Sequence, residues 1–209
     1  DPTFVSTSPA ASAWSADNTV EVTWSGAADE VGGSGLAGYL IEWNTTPVST
    51  PDAVVDVVHT ADPHSTTSPP LADGNDHYFH LSTCDNAGNC TSTVHAGPFW
   101  TDTAAPGAPG AVTSSSHDPT GTPVSDTTIE VAWGAASDGL SGVASYSYAF
   151  DGNPTGSCLG SSTASLAATS GALGDGSHYV HVCAVDVAGN TGAAVHGGPY
   201  VVDTAGPTG

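Results

Sequence analysis

The sequence contains no lysine, no arginine and no methionine among its 209 residues. With no cation to neutralise phosphates, it argues against nucleic-acid binding, and an anionic membrane surface repels it for the same reason. The missing lysine removes Schiff-base chemistry and lysine-based isopeptide cross-links. Ordinary salt bridges are gone too. The 21 acidic residues give a formal charge of -21, so each carboxylate must be solvated, hydrogen-bonded or paired with a metal. Such a charge favours solubility and costs stability through self-repulsion, which divalent cations would relieve. Charged residues are nonetheless sparse, at 10% against 38% hydrophobic, which excludes a disordered acidic tail. No apolar run is long enough to span a bilayer. The first residue is not methionine and no signal segment precedes it, so we expect a chain processed or excised from a longer precursor.

What is present is a repeat. Residues 71–106 read LADGNDHYFHLSTCDNAGNCTSTVHAGPFWTDTAAP, and residues 173–207 read LGDGSHYVHVCAVDVAGNTGAAVHGGPYVVDTAGP. Each copy contains an Asp-Gly turn, a strand, a tight Ala-Gly-Asn turn, a second strand and an Asp-Thr…Pro exit. Upstream, residues 19–24 alternate with Val20, Val22 and Trp24 on one face, and residues 127–133 match them, ending at Trp133. A Gly/Asp-rich loop follows each, and then a Tyr-bearing strand, at 38–44 and 146–151. Residues 53–58 form a further expected strand, 60–70 an expected Pro/Ser/Thr loop, and 161–168 a weak strand. Short strands at regular spacing with Gly, Pro, Asn and Asp turns indicate antiparallel sandwiches. The expectation is an all-β chain of two modules, 1–103 and 104–209, joined by the proline-restricted linker 102–109.

The motif Ser137-Asp138-Gly139, Ser141-Gly142, Tyr146, then Asp175-Gly176, His178-Tyr179, His181, Asp186, Ala188-Gly189-Asn190, Gly198-Pro199 and Asp203-Thr204…Pro207 resembles tandem Ig-like repeats of large bacterial surface or filament proteins. More broadly, a Trp ending the second strand and a Tyr in the third are similar to fibronectin type III modules. The resemblance covers nearly the whole chain. It implies two tandem Ig-like, fibronectin type III-like antiparallel sandwiches. It leaves function open among spacer, adhesin, stalk and filament subunit. Integrin-type recognition is not carried over, because no Arg-containing loop exists.

Set end to start, the tails DTAGPTG and DPTFVS read like the internal linker DTAAPGAPGAVTSS, which suits head-to-tail repetition. The leading expectation is a non-catalytic structural subunit of an extracellular filament or stalk, its partner another copy of itself. Residues 1–11 are the candidate donated strand, with Asp1, Pro2, Thr3, Phe4 and Val5 as assembly residues. The alternative is an adhesin or carbohydrate-binding repeat of a larger secreted surface protein. Trp14, Trp43 and Trp100 have no counterparts of equal size; the expectation is that they pack against a neighbouring loop, with a carbohydrate platform or a subunit contact as the alternatives.

Several residues are candidates for chemistry. Cys84 and Cys90 bracket a tight turn and suit a cross-hairpin disulfide, while Cys158 and Cys183 remain as a pair in the second module. An even count without CxxC spacing points to an oxidising compartment. In a fibronectin-like sandwich the loops after the second and sixth strands share the pole where the chain enters. Asp138 and Asp186 would there approach Asp102, and Asp29 and Asp85 would approach Asp1, with Asp203 supplied by a preceding copy. These are the candidate calcium ligands at the module joints. The competing reading makes the same residues turn formers.

His80 and His95, like His181 and His196, face one another across a hairpin, with no third or fourth zinc ligand in evidence. Asn44 and Asn89 open N-glycosylation sequons. Neither G-x-S-x-G nor HExxH occurs, so the reading is of a protein that is not an enzyme.

Overall fold

The computed structural model describes residues 2–208. Among the described residues there is no helix, and the chain divides into two compact units between Thr103 and Ala104. In the first unit the strands are β1 (Thr3–Ser8), β2 (Trp14–Ser15), β3 (Glu21–Ser25), β4 (Leu36–Asn44), β5 (Val57–Val58), β6 (His64–Thr67), β7 (Gly74–Asp85) and β8 (Val94–Thr101). They form two sheets, ordered β1-β3-β6 and β2-β8-β7-β4-β5. The second unit comprises β9 (Thr113–Ser114), β10 (Pro123–Val124), β11 (Glu130–Ala132), β12 (Val143–Asp151), β13 (Ser161–Thr163), β14 (Ala167–Thr169), β15 (Gly176–Asp186) and β16 (Val195–Val202). Its sheets run β14-β11-β9 and β10-β16-β15-β12-β13, the same order again. In each unit every pairing is antiparallel except the short β2–β8 and β10–β16 ladders. The protein is therefore all-β, built as two tandem Ig-like, fibronectin type III-like sandwiches.

Strand periodicity builds each core. On β3, Val22 and Trp24 are buried while Glu21 faces solvent, as a period of two requires. Across the sandwich, Tyr39 from β4, Phe79 and Leu81 from β7 and Phe99 from β8 close on Trp24. The second core repeats the arrangement with Ile129, Val131, Trp133, Tyr146, Val180, Val182 and Tyr200. The repeated Gly-Pro pair also has a steric reason. A Cβ on Gly97 would stand 2.7 Å from the His77 carbonyl oxygen, and one on Gly198 would stand 2.8 Å from that of His178. Glycine is what lets β8 and β16 pass the bulges in β7 and β15.

Three expectations need correction. The N-terminal run does not leave its unit: Thr3–Ser8 pairs antiparallel with Glu21–Ser25, and Phe4 packs edge-on against Phe79 at 6.0 Å. The expected loop 60–70 contains β6. That strand alternates in burial, with His64 inward and Thr66 half-buried, but lacks the apolar residues that make alternation visible in a sequence. The expected strand 53–58 shrinks to Val57–Val58. The unmatched tryptophans are half-buried and pack, the reading favoured for them. Trp14 and Trp100 pack on each other at 5.4 Å, and Trp43 lies against Phe79 and Phe99.

Candidate metal centre

The pole of the second unit is built by two turns. Between β11 and β12, Asp138 Oδ1 accepts the backbone N–H groups of Leu140 at 3.0 Å and Gly142 at 2.7 Å. At the end of β15, Asp186 Oδ1 accepts those of Gly189 at 2.7 Å and Asn190 at 2.8 Å, and its Oδ2 accepts the Asn190 side-chain amide at 2.8 Å. One oxygen of Asp138 lies within 4.8 Å of one of Asp186. The Gly142 N–H, above all, holds the Asp138 carboxyl below its ordinary range, because hydrogen bonds to the ionised form favour it. Asp186 is buried.

The first unit repeats the design. Asp29 accepts the N–H groups of Glu30 at 2.8 Å and Gly35 at 2.6 Å. Asp85 accepts those of Ala87 and Asn89, and the Asn89 amide as well. That amide bond, first among several, lowers the Asp85 pKa. Asp29 and Asp85 line one open groove of about 370 Å³, together with Glu30 and the Cys84–Cys90 disulfide. Asp102 is fully buried at the end of β8, its N–H donating to the Ser15 carbonyl at 3.0 Å. Asp203 is exposed and accepts the Ala205 N–H at 3.1 Å. Asp1 lies outside the described residues. These contacts make the aspartates turn formers in their own right; Asp138 and Asp186 approach one another in the second unit, and Asp29 and Asp85 line one groove in the first.

Each module exit is clasped in the same way. Asp73 Oδ1 accepts both the N–H of Thr103, at 2.8 Å, and its hydroxyl, at 3.0 Å. Asp175 Oδ1 does the same for Thr204, at 2.8 and 2.7 Å. The Asp-Gly turn and the Asp-Thr exit, a full strand pair apart in sequence, are thus halves of one clasp. Pairing the two repeated motifs would have found it in the sequence; neither suggests it alone.

The hairpin histidines meet as expected. In the first unit Asn44 Oδ1 accepts the Thr46 N–H at 2.8 Å and so presents an acceptor to His80 Nε2 at 2.9 Å. His80 Nε2 therefore carries its proton, and Nδ1 accepts from His95 Nδ1 at 2.7 Å. The second unit substitutes Asp151 Oδ1 for Asn44, at 3.0 Å from His181 Nε2, with His196 Nδ1 2.6 Å from His181 Nδ1. These separations are hydrogen bonds, too short for two ligands of one ion.

Burial first, and His95 second, push the His80 pKa below its ordinary value, while Glu42 pulls the other way. A folded pKa below the unfolded one, about 6.5, gives stability that is complete above that pH and lost as pH falls through the folded value. Acidification from pH 7 to 5 is thus expected to destabilise the first unit in urea titrations. His80→Gln, which cannot charge, flattens that slope. An unchanged slope in the variant would show that His80 plays no part.

Asn44 and Asn89, the sequon residues, both use their side chains: Asn44 as above, and Asn89 through its Nδ2 to Asp85. Both expected disulfides are present, Cys84–Cys90 and Cys158–Cys183, and no cysteine is free.

The sequence reading missed one cluster. His59, Asp62 and His64 each place one ligand atom within 4.8 Å of the others. Asp62 and His64 sit in the segment read as a Pro/Ser/Thr loop, 60–70, and His59 just precedes it. The spacing H-x-x-D-x-H was the available signal.

No protein-family model matches the sequence, and no curated protein matches it. Among solved structures, the fibronectin(III)-like modules of Clostridium thermocellum CbhA are similar, with a TM-score of 0.49 and 14% identity over 94% of this chain and 91% of that one. The fold assignment rests on the strand order itself. No helix is long and apolar enough to cross a membrane.

Proposed function

We propose that this chain is a structural repeat of an extracellular filament or stalk, joining head to tail with further copies of the same module. The observation that carries the reading is the duplicated exit clasp. Thr204 is held by Asp175 as Thr103 is held by Asp73, so the second module ends in the geometry that, in the first, leads into another module. Pairing of all four cysteines supports an extracellular setting. Because Thr3–Ser8 already occupies the edge beside Glu21–Ser25, joining through linker-like ends is favoured over a donated strand. The half-buried tryptophans Trp14, Trp43 and Trp100 pack on neighbouring rings, which favours this reading over a flat glycan platform. Sedimentation velocity tests the reading: with calcium present, larger species grow with concentration, whereas a single invariant boundary contradicts assembly.

Calcium at the joints belongs to the same proposal. Asp102 would join Asp138 and Asp186 at one joint, and Asp203 of a preceding copy would join Asp1, Asp29 and Asp85 at the next. The backbone-directed carboxylates at each pole support it, because oxygen-rich, flexible clusters suit calcium. At free calcium about 100-fold above its dissociation constant, binding stabilises the folded state by about 2.7 kcal/mol. The expected result is a higher melting midpoint of the second unit in calcium than in EGTA, with the difference lost in Asp138→Asn. Equal midpoints in calcium and EGTA would remove the metal and leave the aspartates as turn formers.

A further inference from the structure

We propose that His59, Asp62 and His64 form a binding site on the first unit for a divalent transition-metal ion, with zinc the best match. His64 begins β6, is 7% exposed, and stacks on Trp24 opposite it in the ladder. His59 and Asp62 come from the turn between β5 and β6, and Asp62 faces solvent. His59 Nδ1 stands 3.2 Å from His64 Nε2. Two nitrogens on one tetrahedral zinc, each at about 2.0–2.1 Å, lie about 3.3 Å apart. Asp62 Oδ1 is 3.8 Å from His64 Nε2, a few tenths of an ångström beyond that spacing. Its other oxygen accepts the Gly26 N–H at 2.7 Å, which fixes the carboxylate and turns Oδ1 toward the histidines.

Hydrogen bonding alone serves this cluster poorly. An imidazole nitrogen offers one in-plane lone pair or one N–H, yet His59 Nδ1 has two neighbours at 3.2 Å, His64 Nε2 and the Tyr39 hydroxyl. A cation on that lone pair, shared with His64 Nε2 and Asp62 Oδ1, lets each atom use its single direction.

The fold has no need of these residues. In the second unit the ladder places Leu166 opposite Trp133, where the first has His64 opposite Trp24. The tyrosine equivalent to Tyr39, Tyr146, accepts the Ala136 N–H instead. The second copy thus keeps the same strand pairing with an exposed leucine at this place, so the ladder itself does not call for a histidine. Two imidazoles and a carboxylate suit zinc and its first-row neighbours better than calcium, which takes oxygen ligands. With no lysine or arginine in the chain, no cationic side chain competes for the site.

The test uses the full chain, stripped of metal and kept in excess calcium so that oxygen sites are filled. Zinc is titrated against a chromophoric chelator, and cobalt is added separately as a spectroscopic probe. Expected are one tight zinc per chain, visible cobalt bands of a four-coordinate ion, and a zinc-dependent rise in the melting midpoint. His59→Gln and Asp62→Asn, the latter keeping an acceptor for Gly26, should each weaken zinc by at least about 100-fold, the upper end of what loss of a mere outer-shell partner costs. Zinc affinity equal in the wild type and both variants, or cobalt spectra of the hydrated ion, would overturn the proposal. Should either variant fail to fold, imidazole nitrogen shifts in the wild type decide. Zinc must move the ring nitrogens of His59 and His64; movement confined to His80, His95, His181 and His196 rejects the site.

Discussion

Trp24→Ala is expected to destabilise the first unit by about 3–5 kcal/mol, the range for removing a large buried aromatic. Trp24 is fully buried and meets Tyr39 at 5.3 Å, Phe79 at 5.9 Å and His64 at 6.1 Å, so its removal opens the sandwich where both sheets converge. Domains of this size are stable by only about 5–15 kcal/mol, which leaves the variant near its unfolding threshold. The second unit has its own core around Trp133, which contacts Tyr146 and Tyr148. Hydrogen exchange should therefore show lost protection at Phe79 and Leu81 on β7, with Val180 and Val182 on β15 unaffected. Trp133→Ala should reverse the pattern. Equal loss in both units would contradict two independent cores.

The second large effect concerns the disulfides, which are unequal. Cys158 and Cys183 are 25 residues apart, whereas Cys84 and Cys90 are separated by 6. Loop-closure entropy assigns about 3.5 kcal/mol to the longer loop and about 2 kcal/mol to the shorter. The shorter link also duplicates other restraints. Its turn is already closed by the Asp85 N–H to the Asn89 carbonyl at 2.9 Å and by the Asp85 carboxylate. Cys158, by contrast, anchors the loop after β12, with its carbonyl accepting the Ser147 hydroxyl at 2.8 Å. Urea titration of the two double Cys→Ala variants should show the greater loss for Cys158 and Cys183, confined to the second unit. A greater loss for Cys84 and Cys90 would contradict the ranking.

Much of the fold was legible because its strongest strands alternate apolar and polar residues and because the modules repeat. Trp24 and Trp133, Tyr39 and Tyr146, and the Asp-Gly, Ala-Gly-Asn and Gly-Pro motifs mark equivalent places in the two modules. The illegible parts share a cause. Strand β6 is His-Ser-Thr-Thr, with inward positions filled by polar groups that a hydrophobicity pattern cannot register. The N-terminal strand offers Phe4 and Val5 as its only large apolar residues, and its place in the sheet depends on ladder bonds to β3 that no local pattern encodes.

The candidate sites divide in the same way. Asp138 and Asp186 were found because their turns have sequence signatures. His59, Asp62 and His64 escaped because their meeting depends on β6 being a strand. The exit clasp escaped because each half looks like an ordinary turn until the other is placed beside it.

The central claim, that these modules repeat head to tail as a structural element, is tested most directly by electron microscopy of the purified chain in calcium and in EGTA. The account predicts filaments in calcium whose axial repeat spans two sandwiches, shortened or dispersed on chelation. Separate two-domain particles in calcium, at every concentration tried, would contradict it.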